Sequence, residues 1–182
     1  MSVFHRTSRL LLRPIWPEDW QGVLAGIADE QVVRNLASAP WPYREDNARA
    51  FVAAAPVPKF PRCLITRADS GAVIGCIGID PIAGDPAAAE LGYWIAREHW
   101  GQGYATEAGH AMIAMARVLG HTLLQAAHFS DNPASARVLA KLGFVPTGTI
   151  GPRFSCGRGE TAMALDHALN LGAGEIEERR AA

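Results

Sequence analysis

Two glycines lie between a predicted strand and a predicted helix, in the run Trp100-Gly101-Gln102-Gly103-Tyr104. Glycine lets the backbone turn sharply and approach a ligand closely, and the first turn of the following helix directs unpaired N–H groups at the loop. The pattern indicates an anion site suited to a pyrophosphate, although a glycine turn without a ligand fits it equally well. A dinucleotide-binding fold is excluded because Thr106 stands where that motif needs its third glycine, and no Gly-Lys-Ser/Thr of a P-loop follows.

A second polar segment follows the next predicted strand and runs from Asn132 to Phe144. Asn132 can cap a helix that begins at Pro133, and Arg137 and Lys141 share the polar face of that helix because they are four residues apart. Taken singly, each residue is explained by helix capping or by a solvated surface. A β-α-β crossover would place the loops after both strands side by side, so we expect both segments to face one cleft.

The patterns of apolar residues, prolines and glycines predict the elements that position these segments. Strands are predicted at residues 9–13, 63–66, 72–79, 89–95, 123–129, 144–150 and 160–165, and helices at 17–28, 44–54, 106–119 and 133–142. Asp69-Ser70-Gly71 predicts a hairpin turn, and residues 81–86 a connection. The order predicts an α+β fold, with a mixed, mostly antiparallel sheet and a central β-α-β unit.

Composition and charge narrow the possible functions. Of the 182 residues, 49% are apolar, and 17 Lys and Arg balance 18 Asp and Glu, which disfavours nucleic acid and membrane surfaces as partners. Cys63, Cys76 and Cys156 lack the short spacings of a metal site, so no metal is expected. We expect a soluble, cytoplasmic protein with one domain over residues 1–170 and a polar tail, 171–182, that frays.

Together, the two polar segments resemble the GNAT superfamily of acetyltransferases. The resemblance rests on Trp-Gly-x-Gly-Tyr-Ala-Thr-Glu-Ala at 100–108 and on Asn-x-x-Ser-x-x-Val-Leu-x-Lys-Leu-Gly-Phe at 132–144. With an opening strand at 7–13, the chain is similar over residues 8–167 to the branch that contains the ribosomal-protein alanine N-acetyltransferases. The resemblance implies the GNAT fold with helices on both faces of the sheet, acetyl-CoA as cosubstrate and direct acetyl transfer to an amine. It is also compatible with a homodimer.

The resemblance assigns cosubstrate-binding roles position by position. The backbone amides of residues 102–106 would hold the CoA pyrophosphate, with Trp100 at the place of the family's usual Gln or Arg. The end of the predicted strand at 89–95 would pair with the pantetheine arm, and Asn132 would hydrogen-bond that arm. Ser135 would face the thioester or the phosphates, and Arg137 or Lys141 would reach the nucleotide phosphates. The strand and loop positions are Trp94, Ile95, Ala96, Gln102, Gly103, Tyr104, Ala105 and Thr106.

Acetyl transfer needs a neutral amine and a proton for the departing thiolate. Glu90, at the start of the strand that enters the site, is the candidate base, acting through water; a solvated edge-strand carboxylate is the alternative interpretation. Ser135 is the candidate acid. Glu107 is better explained by its place in the first turn of a helix, and Cys156 has no local His partner that would make it a nucleophile.

The identity of the acceptor stays open. An α-amine, with a pKa of about 7.7–8.0, is partly neutral at pH 7, whereas the lysine side chain, at about 10.4, needs a stronger base. We favour a protein N-terminal α-amine. A small-molecule amine (polyamine, amino acid or aminoglycoside) and a non-catalytic CoA-binding sensor are the alternatives. The aromatic residues between Trp16 and Tyr43 and the loop Ser155–Gly159 are candidate acceptor walls, with core packing and an ordinary glycine-rich loop as their alternatives.

Overall fold

The computed structural model describes residues 4–55, 57 and 59–172. Its strands are β1 (His5–Arg6), β2 (Leu10–Pro14), β3 (Arg62–Arg67), β4 (Val73–Ile82), β5 (Asp85–Ile95), β6 (Leu123–Phe129), β7 (Val145–Ser155) and β8 (Glu160–Asn170). Its helices are α1 (Trp20–Ile27), α2 (Glu30–Val33), α3 (Glu45–Ala53), α4 (Tyr104–Val118) and α5 (Pro133–Lys141). Short 3-10 turns cover Pro17–Asp19 and Arg97–His99.

One sheet holds the eight strands of the described chain in the order β1-β2-β3-β4-β5-β6-β8-β7. Neighbouring strands are antiparallel except β5 and β6, which are parallel and are connected through α4. The predicted α+β fold is therefore confirmed. The parallel pairing runs from Ala88 with Leu123 to Glu90 with Gln125. Beyond these residues the two strands separate, and a gap opens in the middle of the sheet.

Helices cover both faces of this sheet, as the resemblance implies. The α4 and α5 side packs against a core that includes Ile77, Leu91, Met112, Leu124 and Leu139. The α1 and α3 side packs a second cluster, which consists of Val23, Ile27, Val32, Val33, Ala39, Tyr43, Ala48, Val52, Leu64, Cys76 and Trp94. Each face of the sheet therefore has its own apolar layer.

The two clusters fix the direction of every side chain along β5, because side chains alternate between the faces of a strand. Leu91 and Ile95 belong to the core beneath α4 and α5, and Tyr93 packs against it. Trp94 belongs to the cluster beneath α1 and α3. Glu90 and Gly92 therefore face α1 and α3 as well.

The structure differs from the predicted elements mainly at the hairpins. Of residues 81–86, predicted as a connection, Pro81 and Ile82 complete β4 and Asp85 and Pro86 begin β5, so that only residues 83–84 form the turn. Pro81 lies next to a register shift in the pairing of β4 with β5. The regular hydrogen bonding is interrupted there, so a residue without an N–H group is tolerated. Strands β7 and β8 extend beyond their predicted ends because β7 pairs with β8 as far as Ser155 with Glu160, and β8 pairs with β6 as far as Asn170 with Leu123.

Two short elements, β1 and α2, were not predicted because neither is long enough to show a periodic pattern. The single turn of α2 begins where Asp29 accepts a hydrogen bond from the Gln31 N–H at 2.7 Å.

Near the C-terminal end of the described residues, Leu171 is buried and donates its N–H to the Thr122 carbonyl. The remaining predicted tail, from residue 173, lies outside the described residues. None of the described helices is long and apolar enough to cross a membrane.

Candidate active site

The gap between β5 and β6 opens into a cavity of about 950 Å³. On the α4 and α5 side, its wall includes the loop before α4 and the first turn of α5. On the α1 and α3 side, the wall includes residues 35–40, Tyr43 and part of α3. Because the cavity reaches both faces of the sheet, one ligand can enter from each face and the two can meet in the gap.

Two left-handed glycines shape the loop before α4. Gly101 has a φ of 74° and Gly103 a φ of 81°, a region that disfavours residues with a side chain. Gly103 is the N-cap of α4 and supplies no side-chain cap. The first intrahelical hydrogen bond of α4 runs from the Glu107 N–H to the Gly103 carbonyl, so the N–H groups of Tyr104, Ala105 and Thr106 have no acceptor within the helix. All three residues line the cavity. The loop thus presents several N–H groups and the positive end of a helix dipole to a ligand.

The two predicted loop positions with large side chains are used differently. The Gln102 carbonyl accepts a hydrogen bond from Arg9 Nη1 at 3.0 Å, and its side-chain amide donates to the Glu98 carbonyl. Trp100, at the family's usual Gln or Arg position, donates its indole N–H to the Ile95 carbonyl at 2.7 Å. Trp100 therefore fastens the start of the loop to the end of β5.

The end of β5 offers backbone groups to the gap at alternate residues. The Ala96 N–H donates to the Ile74 carbonyl of the neighbouring chain segment at 2.9 Å, and the Ile95 carbonyl points the other way, toward Trp100. Hydrogen-bonding directions alternate along an antiparallel strand, so Tyr93 and Ile95 direct their backbone groups to the gap, while Trp94 directs its own to β4. Pairing of a pantetheine arm with the backbone of Ile95 stays a prediction. The Ala96 N–H already has a partner in β4. Trp94 lines the cavity with its side chain and not with its backbone.

A hydroxyl pair faces the gap on the α5 side. The Tyr93 hydroxyl and Ser135 Oγ are 2.9 Å apart, and Asn132 Oδ1 accepts the Ser135 N–H at 3.1 Å. Asn132 is therefore an N-cap whose amide NH2 group remains a donor. Burial raises the pKa of Tyr93, against the opposing effect of its hydrogen bond to Ser135, so the phenol keeps its proton. Sequence reasoning missed Tyr93, although its position two residues from Leu91 places it on this face.

Two ion pairs border the cavity on the α1 and α3 side. Glu90 Oε1 accepts from Arg153 Nη1 at 2.6 Å, and Asp80, opposite Glu90 in the sheet, accepts from Arg62 Nη2 at 2.9 Å. Glu90 lies at the last parallel pair of β5 and β6, and Arg153 reaches it from β7. The candidate base is thus exposed to the cavity, and one of its oxygens is held by a guanidinium group.

Comparisons with known proteins identify this arrangement. A model of the acetyltransferase (GNAT) domain matches residues 9–145. The uncharacterized N-acetyltransferase YoaA of Bacillus subtilis (strain 168) is 32% identical over 148 residues, which cover 79% of this chain and 84% of that protein. This chain belongs to the GNAT acetyltransferase family. It is an acetyl-CoA-dependent N-acetyltransferase, as the resemblance implies.

Solved structures share the fold of this acetyltransferase. A GNAT-family acetyltransferase from Bacillus anthracis has a TM-score of 0.81 and 22% identity, covering 93% of this chain and 99% of that one. The ribosomal-protein-S5-alanine acetyltransferase from Vibrio fischeri has a TM-score of 0.74 and 17% identity, covering 94% and 98%. At these identities the similarity shows a shared fold. The structures with this fold include a member of the ribosomal-protein alanine N-acetyltransferase branch, which the sequence resembles.

The cavity of the acetyltransferase fits acetyl-CoA. The left-handed glycines and the start of α4 suit the pyrophosphate, and the separated strands leave room for a narrow arm along Tyr93 and Ile95. Arg137 and Lys141 are exposed and line the same side, within reach of a nucleotide. The described residues contain no group of three or more His, Cys, Asp or Glu side chains that could hold a metal ion.

The opposite side of the cavity forms an open groove. Gly92 is exposed in the middle of β5, and a Cβ atom built on it would meet nothing within 4 Å. Leu36, Tyr43 and Phe51 line the groove above Gly92. Of the candidate aromatic residues, Tyr43 therefore belongs to the wall, whereas Trp41 is 41% exposed and does not line the cavity. The groove therefore has a flat floor, apolar sides and the two ion pairs at one end.

The loop Ser155–Gly159 supports this groove from behind. Ser155 Oγ donates to the Leu36 carbonyl at 2.7 Å, and the Cys156 N–H donates to the Ala37 carbonyl at 2.8 Å. Residues 35–40 line the cavity directly, so the loop fixes the wall without forming it. The sequence left open whether this loop forms an acceptor wall or is an ordinary glycine-rich loop, and no local pattern identified Leu36 and Ala37 as its partners.

Proposed function

We propose that this enzyme transfers the acetyl group of acetyl-CoA directly to the α-amine of a protein N-terminus. The ion pairing of the carboxylates supports this choice. Both acidic side chains among the described residues of the cavity wall, Asp80 and Glu90, are paired with guanidinium groups. An acceptor that loses its ammonium proton readily suits such a site better than one that needs an unpaired carboxylate.

The size of this effect follows from the ordinary pKa values of amines. At pH 7, forming the neutral amine costs about 1 kcal/mol for an α-amine of pKa about 7.8 and about 4.6 kcal/mol for a lysine of pKa about 10.4. Polyamines resemble lysine in this respect. The difference of about 3.5 kcal/mol corresponds to several hundredfold in the population of the reactive amine.

In the proposed reaction, the amine approaches over Gly92 and the thioester lies in the gap beside Tyr93. The amine nitrogen bonds to the carbonyl carbon, and the carbonyl oxygen becomes an oxyanion that backbone N–H groups of β5 facing the gap stabilise. The C=O bond then re-forms as the C–S bond breaks and the thiolate leaves. Glu90 takes the amine proton through its second oxygen or a water molecule. The departing thiolate receives its proton from the Ser135–Tyr93 hydroxyl pair.

The same geometry supports the remaining assignments. Gly103 to Thr106 hold the pyrophosphate, Asn132 donates its amide to the arm, and Arg137 or Lys141 contacts the nucleotide. The single eight-stranded sheet and the family match over residues 9–145 support one acetyltransferase domain across residues 1–170. A homodimer stays a prediction.

Mass spectrometry of acetylated products tests the acceptor class. Acetyl-CoA and the enzyme are incubated with a mixed panel of peptides with free N-termini, matched N-terminally blocked peptides with one lysine, polyamines, amino acids and aminoglycosides. We expect acetyl groups on peptide α-amines. Products on small amines alone would contradict the proposal and assign the enzyme to metabolites or drugs. Preferential acetylation of the blocked lysine peptides would refute the argument from Glu90.

A further inference from the structure

The carboxylate of Glu107, in the first turn of α4, gathers the segment before β2. Its Oε1 accepts from the hydroxyls of Thr7 at 2.6 Å and Ser8 at 3.1 Å and from the Arg9 N–H at 2.9 Å. Its Oε2 accepts from Arg9 Nε at 2.7 Å and lies 2.6 Å from Nη2. Burial opposes ionisation, but these donors hold the pKa of Glu107 below its usual value. We refer to Thr7, Ser8, Arg9 and Glu107 as the N-terminal clamp.

Arg9 extends the clamp to the loop that precedes α4. Its Nη1 donates to the Gln102 carbonyl at 3.0 Å, and its guanidinium carbon lies 4.6 Å from the centre of the Tyr104 ring. Its Nη2 lies 3.6 Å from the place of a Cβ on Gly103. One side chain therefore contacts the residues on both sides of the left-handed Gly103.

These contacts fix the direction of a backbone N–H group. The C=O and N–H of a trans peptide point in opposite directions. Because the Gln102 carbonyl points at Arg9, the Gly103 N–H points to the opposite side of the loop, and Gly103 lines the cavity. Without this hydrogen bond, a loop with two glycines would sample many conformations, and ligand binding would have to oppose that entropy.

The clamp also compensates a charge in an unfavourable place. A carboxylate in the first turn of α4 interacts favourably with the helix dipole, but it would repel a pyrophosphate bound at the same end of the helix. Pairing with Arg9 neutralises Glu107 and leaves the helix N–H groups to act on the ligand. Since Arg9 is 48% exposed, we assign it a geometric role more than a long-range electrostatic one.

We propose that Arg9 is a positioning residue, and that the N-terminal clamp holds the Gly103 N–H and the first turn of α4 ready for the CoA pyrophosphate. This proposal rests on the pyrophosphate site in the proposed function. It gives a catalytic purpose to the Thr7-Ser8-Arg9 segment and to Glu107, which contact no reacting atom.

Two ligands separate positioning at the pyrophosphate from general damage. Acetyl-pantetheine carries the thioester and the arm but no pyrophosphate, whereas acetyl-CoA carries all three. For Arg9→Ala we expect acetyl-CoA to bind about tenfold more weakly, the loss of one charge-assisted hydrogen bond, with KM for acetyl-CoA raised alike. Its kcat at saturation and its affinity for acetyl-pantetheine should not change. Arg117→Ala, an exposed arginine at the far end of α4, is the matched control.

Two further variants distinguish geometry from charge. Arg9→Lys keeps the charge but lacks the planar fork, so we expect it to recover little of the acetyl-CoA affinity, and full recovery would overturn the proposal. Glu107→Gln should also weaken acetyl-CoA binding. Tighter binding would mean that a released Arg9 contacts the phosphates itself, contrary to a positioning role.

The failure of the clamp and the failure of the site itself give different results. If wild-type enzyme prefers acetyl-CoA and Arg9→Ala keeps that preference, the clamp proposal is wrong and the pyrophosphate site stands. If wild-type enzyme binds acetyl-CoA no more tightly than acetyl-pantetheine, the pyrophosphate site fails and the clamp proposal fails with it. Equal weakening of both ligands in Arg9→Ala would show general structural damage and would also overturn the proposal.

Discussion

Substitution of Gly92 by alanine tests whether the acceptor crosses the middle of β5. Gly92 faces α1 and α3 between Glu90 and Trp94, and its added methyl group would enter the groove with nothing within 4 Å. A glycine inside a strand is about 0.5–1 kcal/mol less stable than alanine. We therefore expect Gly92→Ala to raise the thermal midpoint by about 2 °C for a domain of this size.

Activity should change in the opposite direction. A methyl group on the floor displaces the acceptor by about the length of a carbon–carbon bond, and a misplacement of about 1 Å can reduce the rate about 100-fold. We expect kcat/KM for the acceptor peptide to fall about 100-fold, and further for Gly92→Val. The Kd for acetyl-CoA, measured by calorimetry, should remain that of the wild type, because the proposed cosubstrate site lies in the gap and on the other side of the sheet.

Gly151→Ala is the matched control. Gly151 also lies inside a strand, β7, with nothing within 4 Å of an added Cβ, and it is not among the residues that line the cavity. We expect it to gain stability without losing activity. If Gly92→Ala is as active as Gly151→Ala, the acceptor does not cross Gly92. If Gly92→Ala instead weakens acetyl-CoA binding, our assignment of the two faces is reversed.

Four further substitutions test the proposed acid, the proposed base and an internal ion pair. Tyr93→Phe and Ser135→Ala should each lower kcat about 100-fold, and the double variant little more, because the hydroxyls act as one donor; additive losses in steady-state assays would argue against a shared role. Glu90→Gln should lower kcat most at low pH, where the amine is most protonated, and an unchanged pH–rate profile would remove Glu90 from the mechanism. Burial opposes ionisation of Asp19, but Arg13 and the Trp16 N–H hold its pKa below the usual 3.8, so its stabilisation is present above that pH and lost as the pH falls through the lowered pKa. We expect Asp19→Asn to cost about 3 kcal/mol at pH 7 and to flatten acid unfolding; equal denaturant midpoints would contradict this.

The helix and second strand of the central β-α-β unit, and the helix after them, could be predicted closely because local residues determine their boundaries. The strand predicted at 123–129 is β6, and the helix predicted at 133–142 is α5, which ends at Lys141. Asn132 caps α5, and Gly143 beyond it has a φ of 88°, as a helix stop requires. The ends of β4, β5, β7 and β8 were less predictable because pairing with a neighbouring strand, and not local composition, determines them.

In the candidate site, too, features determined by local sequence could be predicted and contacts between distant residues could not. The glycine loop and Asn132 could be found because each is a contiguous motif. The contacts that complete the site join residues far apart in sequence: Tyr93 with Ser135 over 42 residues and Arg153 with Glu90 over 63. A single sequence contains no local pattern that links such partners. The chemical types of these residues could therefore be read from the sequence, but their pairing in space could not.

In the proposed function the two faces of the sheet bind different substrates, and this division predicts how the choice of acceptor can change. The cosubstrate side is built from contiguous motifs and is held by the N-terminal clamp. The proposed acceptor side is a wall of residues 35–40, which Ser155 and Cys156 fasten by hydrogen bonds, and a Cβ atom at Gly157 would collide with Val33 of α2. Because these supports do not touch the loop before α4, substitutions in them can reshape the groove while acetyl-CoA binding is kept. Differences in acceptor between relatives of this fold should therefore concentrate in α2, in the segment after it and in the β7–β8 turn.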